Sequence, residues 1–471
     1  MSEINREIIH SYFENLAGKR DRWLKRNRFY HKTLVRHYSL IIPEGARVIE
    51  LGCGTGDLLS AVKPSVGVGI DFSGNMIAKA RGRHAHLTFH TADASDFHTD
   101  IKFDYVIMSD LLSSLWDIQQ VIRNLSGFIH PRTKIIISSY NYVWEPVLRL
   151  GEFLHLKARQ PLQSWLTIKD IQGLLELEGF EVVKVDRKLW IPKYIPIINL
   201  LFNSFLANLP GLNSLCLVNL ITARPVTRPD QDFSVSVVVP ARNEMGNIEN
   251  AVLRTPVFGS RQEFIFIEGH SADQTYEEML RVQAAYPDRN IRVMKQSGRG
   301  KGNAVREAFE AASGEILMIL DADLTTPPED MPKFYQALAS NRGEFINGCR
   351  LVYPMEKEAM RFLNYLANKF FGWFFSYLLG QRMKDTLCGT KVLFRQDYEL
   401  IKANRKFFGE FDPFGDFDLL FGAARLNLKI TEVIVRYRDR EYGSTQISRF
   451  RHGMLLIRMS LFAARKIKFR A

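Results

Sequence analysis

An apolar strand that runs straight into alternating glycines, Val48-Ile49-Glu50-Leu51-Gly52-Cys53-Gly54-Thr55-Gly56, and a second apolar strand that runs into Asp321-Ala322-Asp323 constrain this chain more than any other feature. Strand ends of this kind open onto the ligand crevice of an open α/β sheet. The glycines allow a tight turn and a close approach of backbone N–H groups to a ligand. The two carboxylates can grip a divalent cation. Two such ends far apart in one chain call for two sheets, and so for an α/β protein of two domains. A length of 471 residues, 46% of them hydrophobic and 24% charged, is enough for two large cores and too apolar for extensive disorder.

Short apolar runs alternate with helical stretches from Arg47 to Thr222, predicting strands at 48–51, 66–70, 87–91, 105–108, 135–138, 180–185 and 217–222. A helix over 168–178 is bounded by Thr167 and Gly179. Ala223 to Asp232, with two prolines and four charged residues, reads as a linker, which sets a first domain at 1–226, a linker at 227–232 and a second domain at 233–471. A second alternation follows, with strands at 235–239, 264–267, 291–294 and 316–320 and a helix at 304–312.

Cys53, Cys216, Cys349 and Cys388 are scattered, so neither a zinc site nor a disulfide framework is expected. The start of the chain lacks the basic and apolar regions of a secretory signal, so a cytoplasmic location is expected. A net charge of +12 implies an anionic partner: nucleic acid, an acidic membrane surface or phosphorylated substrates. Its distribution favours the membrane. Residues 449–470 hold seven Lys/Arg and no acid among apolar side chains, the mixture of an interfacial helix. Tyr194–Thr222 and Phe370–Leu379 are apolar but broken or short, so they are read as lying on a bilayer or packing inside the protein, not as spanning. In the first, Ile197, Ile198, Leu201, Phe205 and Leu209 form one greasy face.

After the strand following the glycine turn, Asp71 is placed to accept hydrogen bonds from two ribose hydroxyls, and Asp93 falls beside an adenine edge. Over residues 40 to 226 this set, Glu50 to Gly56 with Asp71 and Asp93, resembles the class I S-adenosylmethionine-dependent methyltransferases. The resemblance implies a Rossmann-like sheet that binds S-adenosylmethionine through Glu50, Gly52, Gly54, Gly56, Asp71 and Asp93. Where nucleobase and amide methyltransferases carry an Asn-Pro-Pro-aromatic tetrapeptide, this chain has Ser109-Asp110-Leu111-Leu112, which argues against a nucleic-acid substrate. Asp110 is a candidate general base for a sugar hydroxyl, a helix cap, or a contact to the donor's amino group. His84, His86, His90 and His98 lack metal-ligand spacing and read as surface residues.

Val237-Val238-Val239-Pro240-Ala241-Arg242-Asn243-Glu244, then Glu268 to Thr275, Gly300-Lys301-Gly302-Asn303 and Asp321-Ala322-Asp323 follow in that order. Across residues 233 to 455 they resemble the family 2 glycosyltransferases with the GT-A nucleotide-diphospho-sugar fold. The resemblance implies a nucleotide-sugar site built from Pro240, Ala241, Asn243, Glu244, Glu268, Asp273, Lys301, Asp321, Ala322 and Asp323. In it Asp321 and Asp323 hold Mg2+ or Mn2+ and Lys301 meets the diphosphate. The segments around Asp385-Thr386-Leu387-Cys388-Gly389-Thr390-Lys391, Phe414 to Leu420 and Arg440 to Gln446 are similar to those of dolichyl- and polyprenyl-phosphate sugar synthases. Arg436 and Arg440 are the cations expected at the acceptor phosphate. Gln446 stands where that family has a closing lysine, so a hydroxyl acceptor with Asp416 as base stays open. Cys388 is expected to be a small packed residue and Asp418 to order a helix start.

The combined expectation is a membrane-surface enzyme that moves a hexose from a nucleotide sugar to a polyprenyl phosphate or a glycolipid acceptor, and methylates a related sugar, lipid or glycan. The competing expectation makes the first domain a donor-sensing regulatory module.

Overall fold

The computed structural model describes residues 3–160, 163–227, 232–352, 362–405, 415–436, 442, 457–465 and 468. The chain divides into two compact units between Thr227 and Arg228.

In the first unit the strands are β1 (Arg47–Leu51), β2 (Val66–Asp71), β3 (Thr88–Thr91), β4 (Phe103–Ser109), β5 (Ile129–Tyr140), β6 (Phe180–Lys188) and β7 (Val218–Pro225). They form one sheet in the order β3-β2-β1-β4-β5-β7-β6. β1 to β5 pair in parallel, and β7 runs antiparallel between β5 and β6. Alternate residues of the central strands feed two cores: Ile49, Val106 and Ile135 lie in one, Val48, Ile107 and Ile136 in the other. Burial on both faces is what a parallel sheet flanked by helices requires. The strand order reverses between β1 and β4, so the crevice opens where the glycine turn leaves β1.

The expected helix appears at Ile168–Leu177, closed at its start by a reciprocal Thr167–Asp170 capping box. The linker is shorter than its composition suggests, because β7 continues through Pro225. Arg224 is fully buried, and its guanidinium grips Glu181 on the neighbouring strand at 2.6 and 2.8 Å. A charged, proline-containing tract is therefore part of the sheet, held by a cross-strand ion pair.

The second unit holds β8 (Val235–Ala241), β9 (Gln262–Glu268), β10 (Ile291–Lys295), β11 (Ile316–Ile319), β12 (Phe345–Cys349), β13 (Lys391–Phe394) and β14 (Ile430–Ile434), ordered β10-β9-β8-β11-β13-β12-β14. β8 to β11 are parallel, and β13 is antiparallel to both β11 and β12. Here the order reverses between β8 and β11, which brings Ala241 and Asp321 to the same sheet edge. The helix Lys301–Ala311 packs across β8 and β9 through Ala304, Val305 and Ala308.

The apolar segments divide their faces between core and surface. In the helix Phe362–Leu379, Phe375 is buried against Phe417 and Phe421 at ring separations of 5.0 and 5.4 Å, while Phe370 and Trp373 are exposed. In 194–222 the asparagines turn inward: Asn203 Oδ1 accepts from the Trp190 and Ile191 N–H groups, and Asn199 Nδ2 donates to the Lys193 carbonyl. Ile197, Leu200, Leu201 and Phe205 are left outward. Of the basic 449–470 stretch, the structure describes 457–465, which is helical, and 468; Met459 and Ala463 are buried there while Ile457 and Leu461 are exposed. Among the described residues no helix is long and apolar enough to cross a membrane.

Candidate active sites

Gly52, Gly54 and Gly56 all adopt positive φ, at 69°, 53° and 74°, which suits glycine and strains other residues. Their surroundings differ. A Cβ on Gly52 would lie 2.6 Å from Leu111 Cδ1, and one on Gly56 2.6 Å from Phe89 Cζ, but one on Gly54 would meet nothing within 4 Å. Gly54 thus faces the open space. Asp71 fixes the turn: its Oδ2 accepts from Gly54 N–H and its Oδ1 from Ser73 N–H, both at 2.9 Å. Burial raises the Asp71 carboxyl above its ordinary range, and those two N–H groups pull it back. Glu50 is buried and accepts from Leu59 N–H at 3.0 Å, tying the short helix after the turn to β1; burial pushes its carboxyl well up.

A cavity of about 320 Å3 opens beside the turn, lined by His10, Gly52, Asp71, Phe72, Asp93 and Trp116 among others. Asp93 is oriented by the Ser95 N–H and hydroxyl at 2.9 and 2.8 Å. This volume is within the range of small-ligand sites. Asp110 lies elsewhere. It faces a separate cleft with Ser138 and Tyr140, and it caps no helix: its carboxylate accepts from Tyr30 Oη at 2.6 Å and Ser138 Oγ at 2.8 Å. His86, His90 and His98 are exposed, and His84 lies 3.3 Å from Asp57.

At the second crevice β8 ends in Pro240 and Ala241, and the chain turns at Asn243 with φ 56°. Asn243 N–H donates to Ser271 Oγ at 3.0 Å, and its Oδ1 accepts from Ala272 N–H at 2.7 Å, so the loops after β8 and β9 brace each other. Glu268, the last residue of β9, accepts from Ser271 N–H. Glu244 is buried and accepts from Asn247 Nδ2 at 2.7 Å, and Asp273 accepts from Thr275 N–H at 3.1 Å.

Asp321 follows β11 and pairs with Lys301 Nζ at 2.5 Å. Burial by itself would raise the Asp321 carboxyl, but Lys301, with Lys391 and Arg350 behind it, holds it below the ordinary range. The approach is tight enough that a Cβ on Gly389 would sit 2.0 Å from Asp321 Oδ2. Asp323 Oδ1 accepts from the Thr325 N–H and hydroxyl at 3.2 and 2.8 Å, and Ala322 between the acids is buried. Among the described residues no three His, Cys, Asp or Glu are gathered as a complete metal cage. An ionised carboxylate with a second one two residues on is a hard-oxygen donor set that fits a divalent cation sharing its remaining ligands with a diphosphate.

The remaining candidates are less fully placed. Arg436 is exposed just past β14, whereas Arg440 lies outside the described residues. Asp416 opens the helix Asp416–Arg425, but its side chain is likewise outside the description. Asp418, in the first turn of that helix, is buried and pairs with Arg405 at 3.0 Å. Cys388 is buried, as expected of a packing residue.

Residues 22–185 match the family model described as a methyltransferase domain, and residues 236–398 match that of glycosyl transferase family 2. The chain joins a methyltransferase domain to a family 2 glycosyltransferase domain. The chain is 33% identical over 139 residues to a dolichol-phosphate mannosyltransferase of Pyrococcus furiosus, covering 29% of this chain and 39% of that protein. It is 32% identical over 108 residues to an undecaprenyl-phosphate 4-deoxy-4-formamido-L-arabinose transferase of Edwardsiella ictaluri, covering 22% and 33%. The chain thus spans well under half the length of these relatives. A SAM-dependent methyltransferase of Thermotoga maritima, described as a possible histamine N-methyltransferase, aligns at 16% identity and a TM-score of 0.37, covering 46% of this chain and 99% of that one.

In the glycosyltransferase domain the residues missed from sequence are the cations behind Asp321. Arg350 forks onto buried Asp385 at 2.7 and 2.9 Å, and fully buried Lys391 donates to Asn347 Oδ1 at 3.2 Å. Lys391 closes the segment quoted from Asp385, but nothing local gives it or Arg350 a role beside Asp321. In the methyltransferase domain Tyr30 was missed, since nothing local links it to Asp110.

Burial would raise the Asp385 carboxyl, but Arg350 holds it below the ordinary range. A pKa lowered by folding stabilises the folded state fully above the ordinary carboxylate range, and that contribution is lost as pH falls through the lowered value. Asp385→Asn is therefore expected to cost the glycosyltransferase domain about 3 kcal/mol near neutrality. Denaturant melts should show the gap to the unaltered chain closing as the pH is lowered; a gap that does not depend on pH would rule out the ion pair as its source.

Proposed function

We propose that the chain is a bifunctional transferase acting at the cytoplasmic face of a membrane. The glycosyltransferase domain moves a hexose from a nucleotide sugar onto a polyprenyl phosphate with the help of Mg2+ or Mn2+. The methyltransferase domain uses S-adenosylmethionine on a sugar, lipid or glycan of the same pathway. The observation that carries this reading is the Lys301–Asp321 ion pair at the point where the second sheet reverses, with Asp323 two residues on. A cation and an anion side by side at such a crevice support a site for a nucleoside diphosphate and its metal.

Asp321 and Asp323 would hold the cation, which supplies positive charge against the diphosphate as the sugar leaves. Lys301 would then turn to phosphate oxygens. Pro240, Ala241, Asn243, Glu244, Glu268 and Asp273 form the nucleoside wall. A phosphate monoester is ionised near neutrality and needs no strong base to attack, which leaves Arg436 and Arg440 to pair with it. The names of the two relatives support a lipid phosphate as acceptor. Asp416 is the base in the alternative in which the acceptor is a hydroxyl. In the methyltransferase domain Glu50, the three glycines, Asp71 and Asp93 would hold the donor, which supplies a methyl group activated on sulfur.

An apolar shoulder on the methyltransferase domain supports the membrane surface. The helix Glu145–Phe153 buries none of its residues and exposes Val147, Leu150 and Phe153, the last at 78%. Trp144 Nε1 donates to the carbonyl of exposed Leu215 at 2.8 Å, and Ile197 in the same 194–222 segment is 82% exposed. Between residues 187 and 217 the only charges are Arg187, Lys188 and Lys193, all positive, as an anionic bilayer would favour. Phe153→Glu combined with Ile197→Glu is expected to weaken binding to anionic vesicles by about 2 kcal/mol, roughly 30-fold. Sugar transfer to a long-chain lipid phosphate should fall with it, and transfer to a short soluble analogue should not. Equal rates of the variant and the unaltered chain on the long-chain acceptor would contradict the membrane reading.

A further inference from the structure

We propose that Gln296 reads the nucleobase of the nucleotide sugar: its side-chain carbonyl, uncovered beside Gly269, accepts a hydrogen bond from an N–H on the edge of the base. The inference rests on the reading of the second crevice as a nucleotide-sugar site, and it adds the residue that tells one base from another.

Three paired strands end side by side at the edge that also carries Asp321. Ala241 closes β8, Gly269 follows β9 and Gln296 follows β10. Gly269 N–H donates to the Ala241 carbonyl and Gln296 N–H to the Glu268 carbonyl, both at 2.9 Å, so the pairing of the sheet runs on through these residues. Ligands of open α/β sheets meet this end of the strands. A Cβ on Gly269 would lie 3.3 Å from Gln296 Oε1 and 3.4 Å from the Ala241 carbonyl oxygen. Glycine therefore leaves Oε1 open to a group that approaches over the strand end.

The partners of the Gln296 amide fix its orientation. Gly298 N–H donates to Asn303 Oδ1 at 3.1 Å, which identifies that atom as the oxygen. Gln296 Nε2 donates to the same Oδ1 and to the Gly300 carbonyl, each at 2.8 Å. Two acceptors on one side call for the NH2 end, so the oxygen end is the one left beside Gly269. Gln296 is only 4% exposed, and among the described residues no N–H or O–H donates to its Oε1. A buried acceptor without a donor is costly until a ligand or water supplies one. The frame around it is braced as well: His270 Nε2 donates to the Gly298 carbonyl at 2.8 Å and ties the loop after β9 to the loop after β10. A base N–H entering here meets an acceptor already in place, and a base edge that turns a lone pair toward Oε1 is repelled. The donor is the ring N–H of uracil or guanine, or the amine of cytosine or adenine, and a nucleotide panel separates the two.

Calorimetric titration of the intact chain with UDP, GDP, CDP and ADP in the presence of Mn2+ tests this. The unaltered chain is expected to favour one of the two classes by about tenfold or more, because a site built to hydrogen-bond one group discriminates against its absence. Methylating the edge nitrogen of the favoured base should weaken binding by about tenfold or more. In Gln296→Leu the preference and the methylation penalty should both shrink to within about threefold, while pyrophosphate with Mn2+ binds within about twofold of the unaltered chain. If Gln296→Leu weakens pyrophosphate and all four nucleotides alike, Gln296 only braces the loop before Lys301 and the proposal falls. A methylated base that binds the unaltered chain as tightly as its parent overturns it even where the variant does not fold. Tight binding of all four nucleotides without preference would leave the nucleotide-sugar reading standing and remove the base-reading role. No binding of any of the four would remove both.

Discussion

Asp321→Asn is expected to lower sugar transfer by about a thousandfold or more. An amide keeps the shape of the side chain but loses the charge that Lys301 pairs with at 2.5 Å and that a divalent cation would need. The loss acts twice. Without the carboxylate a cation would be held only through Asp323, and the ammonium of Lys301 would lose its 2.5 Å contact with Asp321 before the diphosphate arrives. Asp323→Asn should be similarly inactive while leaving the Lys301–Asp321 pair in place, so its melting temperature should stay near that of the unaltered chain. Steady-state rates with added Mn2+ and with EDTA check this. A rate that survives EDTA, or an Asp321→Asn variant within tenfold of the unaltered chain, would remove the metal from the account.

The second large effect is expected at Gly54. Gly54→Val should weaken S-adenosylmethionine binding by more than about a hundredfold, because the β-branched side chain must both fill the open space at the turn and accept a φ of 53°. Sugar transfer should stay within about twofold. The neighbouring glycines provide the contrast: valine at Gly52 or Gly56 would strike Leu111 or Phe89 at 2.6 Å, so those variants should lose stability as well as binding. Calorimetric titration with S-adenosylhomocysteine beside thermal melts separates the two cases. Undiminished affinity in Gly54→Val would mean that the turn does not hold the donor.

Much of this was legible because it is local. The glycine turn, Asp71 and the Asp321-Ala322-Asp323 triplet each sit at the end of an apolar strand, Asp93 lies just past the largely exposed strand Thr88–Thr91, and the alternation of strand and helix that fixes those ends is written in adjacent residues. What was not legible depends on partners remote in sequence. Arg224 looks like linker until Glu181 is found on the next strand. Tyr30 has no evident role until the fold brings it to Asp110, eighty residues on. The apolar helix Glu145–Phe153 carries too few residues to stand out from a buried one, and only its exposure reveals it. Likewise, the lowered pKa of Asp321 comes first from Lys301, which its motif made visible, and then from Lys391 and Arg350, which reach it through tertiary contacts and not through a motif.

The proposed function requires two separate transfer sites in one chain, both serving a lipid-linked sugar. Its most direct test is mass analysis of the lipid products formed when the intact chain is given a panel of nucleotide sugars, polyprenyl phosphate in vesicles, Mn2+ and S-adenosylmethionine. The account predicts a lipid phosphate heavier by one hexose with a single nucleotide sugar of the panel, absent in Asp321→Asn and still formed by Gly54→Val. A polyprenyl phosphate recovered unchanged with every nucleotide sugar, or a hexose-bearing product that persists in Asp321→Asn, would contradict it.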